Sequence, residues 1–218
     1  MSRFRSLLEW AIIIVPLVIV VILGYHFLFS APAAVPSGLP GNGGFFQVPL
    51  DAPQVYTKQS GTWQFTLTAN HAYTLAGKVV GRHEYPPALP DGIIALDLAV
   101  ANGDLLINDN LHYFTFRMGD RTLEYSYDVP AYAGLTEAYI DEHISNSHLV
   151  FLDPALEAQV KSAKPGDCII LKGKLVDIEG SSTGLRYRAH TSTVRTDQYP
   201  EGCEVILVES FQPVSCGT

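Results

Sequence analysis

The apolar residues divide the chain into a continuous apolar segment near the N-terminus and a longer part with the alternation typical of β-strands. Residues 11–29 contain no acidic residue, no Lys and no Arg. A helix of that length crosses the hydrocarbon core of a bilayer, which is about 30 Å thick. Farther along, Trp63–Thr68 alternates apolar and polar positions, as a half-buried strand does. The pattern predicts an N-terminal transmembrane α-helix followed by a mainly-β domain.

The charges around the apolar segment predict its orientation. Arg3 and Arg5 precede it, and no further Lys or Arg occurs until Lys58. The positive-inside rule then makes residues 1–10 a cytoplasmic stub and exports the rest of the chain. We expect a single-pass protein of the bacterial inner membrane with its C-terminal domain in the periplasm. Ala31-Pro32-Ala33 leaves a cleaved signal peptide open as the alternative, and that alternative also exports the domain.

Residues 30–58 are rich in Pro and Gly, carry little charge and show no periodicity. This composition predicts a linker, part extended and part flexible, that precedes an extracytoplasmic domain at 59–218. Phe45 and Phe46 are unusual in a solvated linker. We expect their rings to dock on the domain or on a neighbouring subunit.

Eight segments of the domain have the composition of strands, and two short segments begin like helices. One helix is expected to start after Thr136 and to reach about Ile144, and the other to start after Asp153 with Pro154 at its first position. Gly119-Asp120 is expected to be a hairpin turn. The predicted strands are 63–68, 73–85, 93–100, 112–118, 122–127, 168–178, 185–194 and 204–211.

The order of these elements favours one architecture. Strands followed by a short helix, a Pro-Gly-Asp turn and a strand with the pattern Leu-x-Gly-x-Leu-Val are typical of an OB-like barrel. In such a barrel the first strand, here 73–85, bends at Gly77 and Gly81 and serves both sheets. A β-sandwich with a helix is the alternative.

Several short motifs also resemble those of a family of uncharacterised bacterial proteins. They are Ser145-Asn146-Ser147-His148, Pro165-Gly166-Asp167, Leu171-Lys172-Gly173-Lys174-Leu175-Val176, Ser192-Thr193-Val194-Arg195-Thr196-Asp197 and Gly202-Cys203-Glu204-Val205. The resemblance covers roughly residues 73–209 and implies one N-terminal membrane helix and a small exported OB-like domain. It implies no activity. The chain departs from the family pattern at Gln198-Tyr199-Pro200 and at Cys168.

Five polar residues of these motifs are the candidate binding residues: Asn146, His148, Arg195, Asp197 and Glu204. A histidine, a carboxylate and an arginine close together can form an acid–base pair with an anion clamp. The alternative is a buried polar network that fixes loops. Because no nucleophile lies in a recognised sequence setting, we expect a protein that is not an enzyme.

The histidines and cysteines limit the remaining chemistry. Neither H-E-x-x-H nor C-x-x-C occurs, and Asp141-Glu142-His143 is typical of a solvated helix end. We therefore expect no metal and no cofactor. Three cysteines in an oxidising compartment indicate one disulfide and one free thiol. The disulfide is expected to be Cys168–Cys203 or Cys203–Cys216, and a catalytic thiol is not expected.

Charge and aromatic content indicate the class of partner. Without the three charged residues of the N-terminal segment, the chain has 12 basic and 21 acidic residues, a net charge of about −9. This charge disfavours nucleic acid. A dense aromatic group instead points to a protein surface or an uncharged glycan; its members are Tyr113, Phe114, Phe116, Tyr125, Tyr127, Tyr132 and Tyr139.

The leading functional hypothesis is therefore an accessory or assembly subunit. Its helix would pack beside a partner membrane protein or complex in the bilayer, and its β domain would cover that partner's outer face. The first alternative is a module that binds envelope glycans or peptides. The second is a membrane-tethered hydrolase that uses His148 with Asp197 or Glu204.

Overall fold

The computed structural model describes residues 39–88, 90–130, 133–194 and 203–216. The predicted stub at 1–10 and the predicted membrane segment at 11–29 lie outside these residues. Among the residues that are described, no helix has the length and apolar character needed to cross a bilayer.

The described part of the chain is mainly β and contains two short α-helices, as predicted. The strands are β1 (Gly44–Ser60), β2 (Trp63–Glu84), β3 (Ile94–Ala101), β4 (Phe114–Met118), β5 (Leu123–Tyr127), β6 (Ile144–Val150), β7 (Cys168–Ser182), β8 (Leu185–Ala189) and β9 (Glu204–Val214). The helices are α1 (Glu137–His143) and α2 (Pro154–Lys161). Short 3-10 turns span Pro40–Asn42, Asp91–Ile93, Gly103–Leu106 and Asn110–Tyr113.

Seven strands form one sheet in the order β1-β2-β3-β6-β9-β7-β8, and β4 and β5 form a separate hairpin. Because β2 also pairs with β7, the strands β2, β3, β6, β9 and β7 form a closed ring. Strands β6 and β9 run parallel, and the other pairs in the ring are antiparallel.

Strand β2 is the longest element and serves both sides of the ring. It pairs with β7 through Lys78 and with β3 from Lys78 onward. The glycines in this stretch, predicted to bend the strand, permit the change. A Cβ on Gly77 would lie 2.4 Å from the Ala101 carbonyl oxygen of β3. Strand β2 includes two segments that were predicted as separate strands, 63–68 and 73–85. They form one strand because the pairing with β7 continues through a register shift at Ala69/His71, past the polar residues between the two segments.

Both helices begin where the sequence predicts. The Thr136 hydroxyl accepts a hydrogen bond from the Tyr139 amide at 3.2 Å, and the Asp153 carboxylate accepts one from the Ala155 amide at 2.8 Å. Each side chain satisfies an amide that the first helical turn leaves unpaired. Pro154 occupies the first turn of α2, where its missing amide hydrogen costs nothing.

The predicted linker at 30–58 is wrong for residues 44–58, which belong to β1 and pair with β2. Proline and glycine suggested a tether, but the prolines do not interrupt the strand. Pro49 and Pro53 fall at the register shift between Pro49 and Gln54, and β1 lies at the end of the sheet. An edge strand tolerates proline at such a position because fewer of its amides need partners.

Strand β6 was not predicted, since its sequence Ile-Ser-Asn-Ser-His-Leu-Val is half polar. All seven of its residues are buried. The strand has a hydrophobic cluster on each face. Leu149 packs in one cluster with Ile206 of β9 and Val160 of α2, and Val150 packs in the other with Val205. A strand covered on both faces must satisfy its polar side chains inside the protein.

The disulfide differs from both predicted pairings: Cys168 is joined to Cys216, with their Cα atoms 5.1 Å apart. The antiparallel register of β7 and β9 is the reason. Cys168 opens β7 opposite Val214, so the residue two places farther along reaches it. Cys203 lies just before the opposite end of β9 and remains a free thiol.

Candidate functional site

A buried ion pair joins two neighbouring strands of the ring. Asp97 of β3 lies opposite His148 of β6 in the antiparallel ladder. The Asp97 side chain is 0% exposed, and the Nδ1 atom of His148 lies 2.8 Å from its Oδ1. The pair therefore forms where solvent cannot compete for either partner.

Two further side chains hold the Asp97 carboxylate. The Tyr85 hydroxyl donates to Oδ2 at 2.7 Å, and Arg121 Nη1 donates to Oδ1 at 3.1 Å. Hydrogen bonds from three different elements fix the orientation of Asp97, and Asp97 in turn orients the His148 ring.

Arg121 is placed by the tight turn of the β4–β5 hairpin, where its φ is +58°. Its amide donates to the Tyr85 hydroxyl at 2.8 Å, and its guanidinium carbon lies 3.4 Å from the centre of the Tyr85 ring. Its carbonyl oxygen accepts from Asn146 Nδ2 at 3.4 Å. Backbone and side chain of this one residue thus tie the hairpin to β3 and β6.

The free thiol of Cys203 lies on the other side of His148. The parallel register pairs Ser147 with Glu204, which places Cys203 beside Asn146, and Asn146 Nδ2 lies 3.9 Å from its sulfur. The Cys203 thiol is near enough to His148 to help raise the pKa of the imidazole. Because Nδ1 of the imidazole is occupied by Asp97, Nε2 is the nitrogen left for the sulfur. Cys203 is only partly buried, so the series Cys203, His148, Asp97 runs from the surface inward.

The environment of His148 favours its charged form. Burial is the largest single influence and lowers the pKa of His148, but the hydrogen bonds and charges of Asp97 and Cys203 together outweigh it and raise the pKa to about 9. At neutral pH the imidazole is therefore protonated.

The cluster contains charges of both signs. Arg121 and protonated His148 supply two positive charges, and the Asp97 carboxylate supplies one negative charge. The Tyr85 phenol is neutral at neutral pH, because burial and its hydrogen bond to Asp97 raise its pKa.

The predicted site residues are only partly brought together. Asn146 and His148 lie on the same face of β6, as expected for alternate residues of a strand. Glu204 lies on the opposite face, where its carboxylate accepts from the Ser145 hydroxyl at 3.0 Å. It is not the carboxylate partner of His148. Arg195 and Asp197 lie outside the described residues.

Sequence reasoning missed Asp97, Tyr85 and Arg121 and set Cys203 aside. One signal for Asp97 was present: it is the only charged residue in the apolar strand Ile-Ala-Leu-Asp-Leu-Ala-Val-Ala. A carboxylate in a fully buried strand needs a partner, since an isolated buried charge is costly. Nothing in the sequence places the hairpin turn of Arg121 against that strand.

Comparison with known proteins gives no match: no family model, no curated protein and no solved structure is similar to this chain.

Proposed function

We propose that the ring of five strands is an OB-like barrel. If β2, β3, β6, β7 and β9 are numbered one to five, their order is 1-2-3-5-4 with the fourth paired to the first. The third and fifth strands are parallel, and α2 lies between the third and fourth with Val160 in the main hydrophobic cluster. Both features support this architecture.

We further propose that this domain is an enzyme in which Cys203 is the nucleophile, His148 exchanges its proton and Asp97 orients His148. The observation that carries this proposal is the position of His148, whose Nδ1 atom is hydrogen-bonded to the fully buried Asp97 and whose pKa the nearby Cys203 thiol also raises. A nucleophile, a base within hydrogen-bond reach and a third group that orients the base form the general arrangement of covalent catalysis.

The reaction class that fits is acyl transfer or hydrolysis. The Cys203 sulfur, as thiolate, attacks the carbonyl carbon of an ester or amide and forms a carbon–sulfur bond. The carbon–oxygen or carbon–nitrogen bond breaks, and the leaving group takes a proton from His148. Water then attacks the thioester, releases the carboxylic acid and regenerates the thiolate and protonated His148.

Asn146 suits a role beside the thiol. Its Nδ2 is an amide donor next to the sulfur, and donors of this kind stabilise an oxyanion that develops at an attacked carbonyl. Its Oδ1 is buried and has no hydrogen-bond partner among the described residues. An unsatisfied buried acceptor is costly, and a bound substrate with a hydrogen-bond donor would satisfy it.

The test measures the reactivity of Cys203 in the full-length chain purified in detergent. We expect iodoacetamide to alkylate Cys203 at pH 7 at least about tenfold faster in the wild type than in His148→Asn, because the charged partner of the sulfur is lost. p-Nitrophenyl acetate should release about one equivalent of nitrophenolate per chain in an initial burst. The burst should be absent in Cys203→Ser.

His190→Asn is the matched control, because His190 pairs with Asp177 at 3.4 Å on the exposed surface. It should leave both the alkylation rate and the burst unchanged. Equal alkylation rates in wild type and His148→Asn, with no burst, would show that the cluster is a structural network.

A second proposal is the accessory function in the envelope, and β1 is the observation that favours it. This 17-residue strand lies at the end of the sheet and carries two charged residues, Asp51 and Lys58. Val48 and Val55 are each 62% exposed. Edge strands that stay separate are usually protected by charged side chains, so a long and nearly uncharged edge suits pairing with a partner protein.

This second proposal includes the predicted membrane helix and the extracytoplasmic location. The Cys168–Cys216 disulfide supports an oxidising compartment. Its test is purification from detergent-solubilised membranes after in-cell crosslinking. We expect the wild type to recover a defined partner, and the double variant Val48→Asp/Val55→Asp to recover none. Leu185→Asp is the matched control, because it changes a similarly exposed side chain on β8, and it should still recover the partner. Recovery of the chain alone and monodisperse would contradict it.

A further inference from the structure

A second cleft lies at the far end of the β3–β6 pair, at the junction of three segments. It has a volume of about 450 Å³ and is lined by residues 41–46 before and within β1, by residues 102–104 after β3, and by Tyr139, Glu142 and His143 of α1. Its residue Asn102 lies just beyond the end of β3 and five positions after Asp97, so the cleft is separate from the thiol site.

Backbone geometry keeps this cleft free of side chains. Gly43 and Gly103 have φ values of +86° and +63°, which favour glycine. A Cβ on Gly103 would lie 2.5 Å from the Tyr139 hydroxyl oxygen, and a Cβ on Gly43 would lie 2.3 Å from the Ala76 carbonyl oxygen. Larger residues at either position would displace one wall of the cleft.

The walls combine aromatic rings with hydrogen-bond acceptors. The Tyr139 and His143 rings stack with their centres 3.8 Å apart, and Phe46 is 59% exposed. His143 Nδ1 lies 2.7 Å from the Tyr139 carbonyl oxygen and donates to it. Asp104 and Glu142 add carboxylate oxygens.

One buried donor in the cleft has no acceptor. Asn102 is 2% exposed, and its Nδ2 makes no hydrogen bond to any described residue. The backbone amide of Asn102 does have a partner, since it donates to the His143 carbonyl oxygen at 3.0 Å. An unpaired buried amide donor is costly, and a ligand carbonyl would remove that cost.

The charges and donors of the cleft limit the chemical class of ligand. Asp104 and Glu142 disfavour an anion. No three His, Cys, Asp or Glu side chains within the described ranges are grouped so as to hold a metal ion. The remaining chemistry is a molecule with hydroxyl donors for the carboxylates, a carbonyl acceptor for Asn102 and an apolar face for the rings.

We propose that this cleft binds a neutral sugar that carries an acetamido group. The Asn102 side chain rotates toward the cleft so that its Nδ2 donates to the acetamido carbonyl. The sugar hydroxyls donate to Asp104 and Glu142, and the apolar face of the sugar packs on Phe46 and the Tyr139–His143 pair. This site is independent of the thiol chemistry proposed above, because it shares no residue with that site.

The experiment titrates the full-length chain in detergent micelles with three trisaccharides by calorimetry. Chitotriose carries acetamido groups, the glucosamine trimer carries free amines, and cellotriose carries neither. We expect chitotriose to bind about fivefold to tenfold more tightly than cellotriose, the effect of about one hydrogen bond. In ¹H–¹⁵N NMR spectra the Asn102 side-chain amide should shift on addition of chitotriose.

Asn102→Asp removes the donor with little change in shape, and the preference for chitotriose over cellotriose should disappear. Asn108→Asp is the matched control, since Asn108 is exposed and does not line the cleft, and it should keep the preference. Phe46→Ala alters an exposed ring, so the variant should fold, and it should weaken the binding of chitotriose and cellotriose alike. Tighter binding of the glucosamine trimer, equal binding of all three, or no binding would overturn the proposal.

Discussion

Replacing Asp97 with Asn removes the charge that holds His148 protonated while keeping nearly the same shape. In the wild type, burial lowers the His148 pKa, and Asp97 and Cys203 raise it to about 9. In the variant, burial and the positive charge of Arg121 oppose protonation, and Cys203 remains to favour it. We therefore expect the His148 pKa to fall well below its wild-type value.

The wild-type value sets the size of the effect on stability. A rise of the His148 pKa from 6.5 to about 9 corresponds to about 3 kcal/mol of unfolding free energy. Because the folded-state pKa is the higher one, this contribution is complete below pH 6.5. It decreases as the pH rises from 6.5 and is lost above about pH 9. The variant should show a smaller decrease and should also be less stable by about 3 to 5 kcal/mol near pH 6, since the buried Asp97 carboxylate no longer pairs with Arg121 and His148.

Urea denaturation at pH 6, 7.5 and 9 measures the stability, with the fluorescence of the buried Trp63 among the signals. NMR titration of ¹³C-labelled histidine measures the His148 pKa directly, with His148→Gln used to assign the resonance. Both proteins should also be compared in a Cys203→Ser background, because a thiol can titrate in the same pH range.

Two results would refute the reasoning. A His148 pKa near 6.5 in the wild type would mean that Asp97 does not offset the effect of burial. An equal loss of stability between pH 6.5 and 9 in the wild type and in Asp97→Asn would assign that pH dependence to other groups.

Three further predictions concern the fold. Replacing both Cys168 and Cys216 with Ala opens a loop of 48 residues and should lower the unfolding free energy by about 4 kcal/mol, whereas Cys203→Ser should keep the disulfide and change the melting temperature little. Gly173→Ala should lower the unfolding free energy, measured by urea denaturation, by about 3 kcal/mol, because its Cβ would lie 2.2 Å from the Leu207 carbonyl oxygen. Gly184 has open space around it but a φ of +87°, so Gly184→Ala should lower the unfolding free energy by about 1 to 2 kcal/mol. Asp153→Ala should cost about 1 kcal/mol in the same measurement, since it removes the N-cap of α2, and Asp120→Ala in the exposed hairpin turn should cost less.

Local chemistry in the sequence predicted much of the fold. The caps at Thr136 and Asp153, the hairpin turn at Gly119-Asp120 and most of the strands depend on residues close together in the chain, so their patterns are visible without tertiary information. Strand β6 was missed for the opposite reason. Its polar residues have partners on β3, β9 and the hairpin, and no periodicity within the strand reveals these distant partners.

The site was only partly predictable for the same physical reason. His148 and Asn146 stood out as unusual residues, but their partners depend on the strand order. Asp97 precedes His148 by 51 residues and meets it only because β3 and β6 are neighbours. Cys203 reaches the site through the parallel pairing of β6 and β9, which brings together segments more than fifty residues apart. The disulfide was mispredicted because the pairing of β7 and β9 decides which cysteines meet.

The composition of the cluster argues for chemistry beyond stability. Replacing a buried ion pair with apolar residues of similar volume is often neutral or stabilising, so the fold does not require Asp97, Arg121 and His148 for its own sake. The hydrophobic clusters on both faces of β6 already supply apolar neighbours. The cluster also ends at a free and partly exposed thiol, Cys203, which a purely structural network does not need.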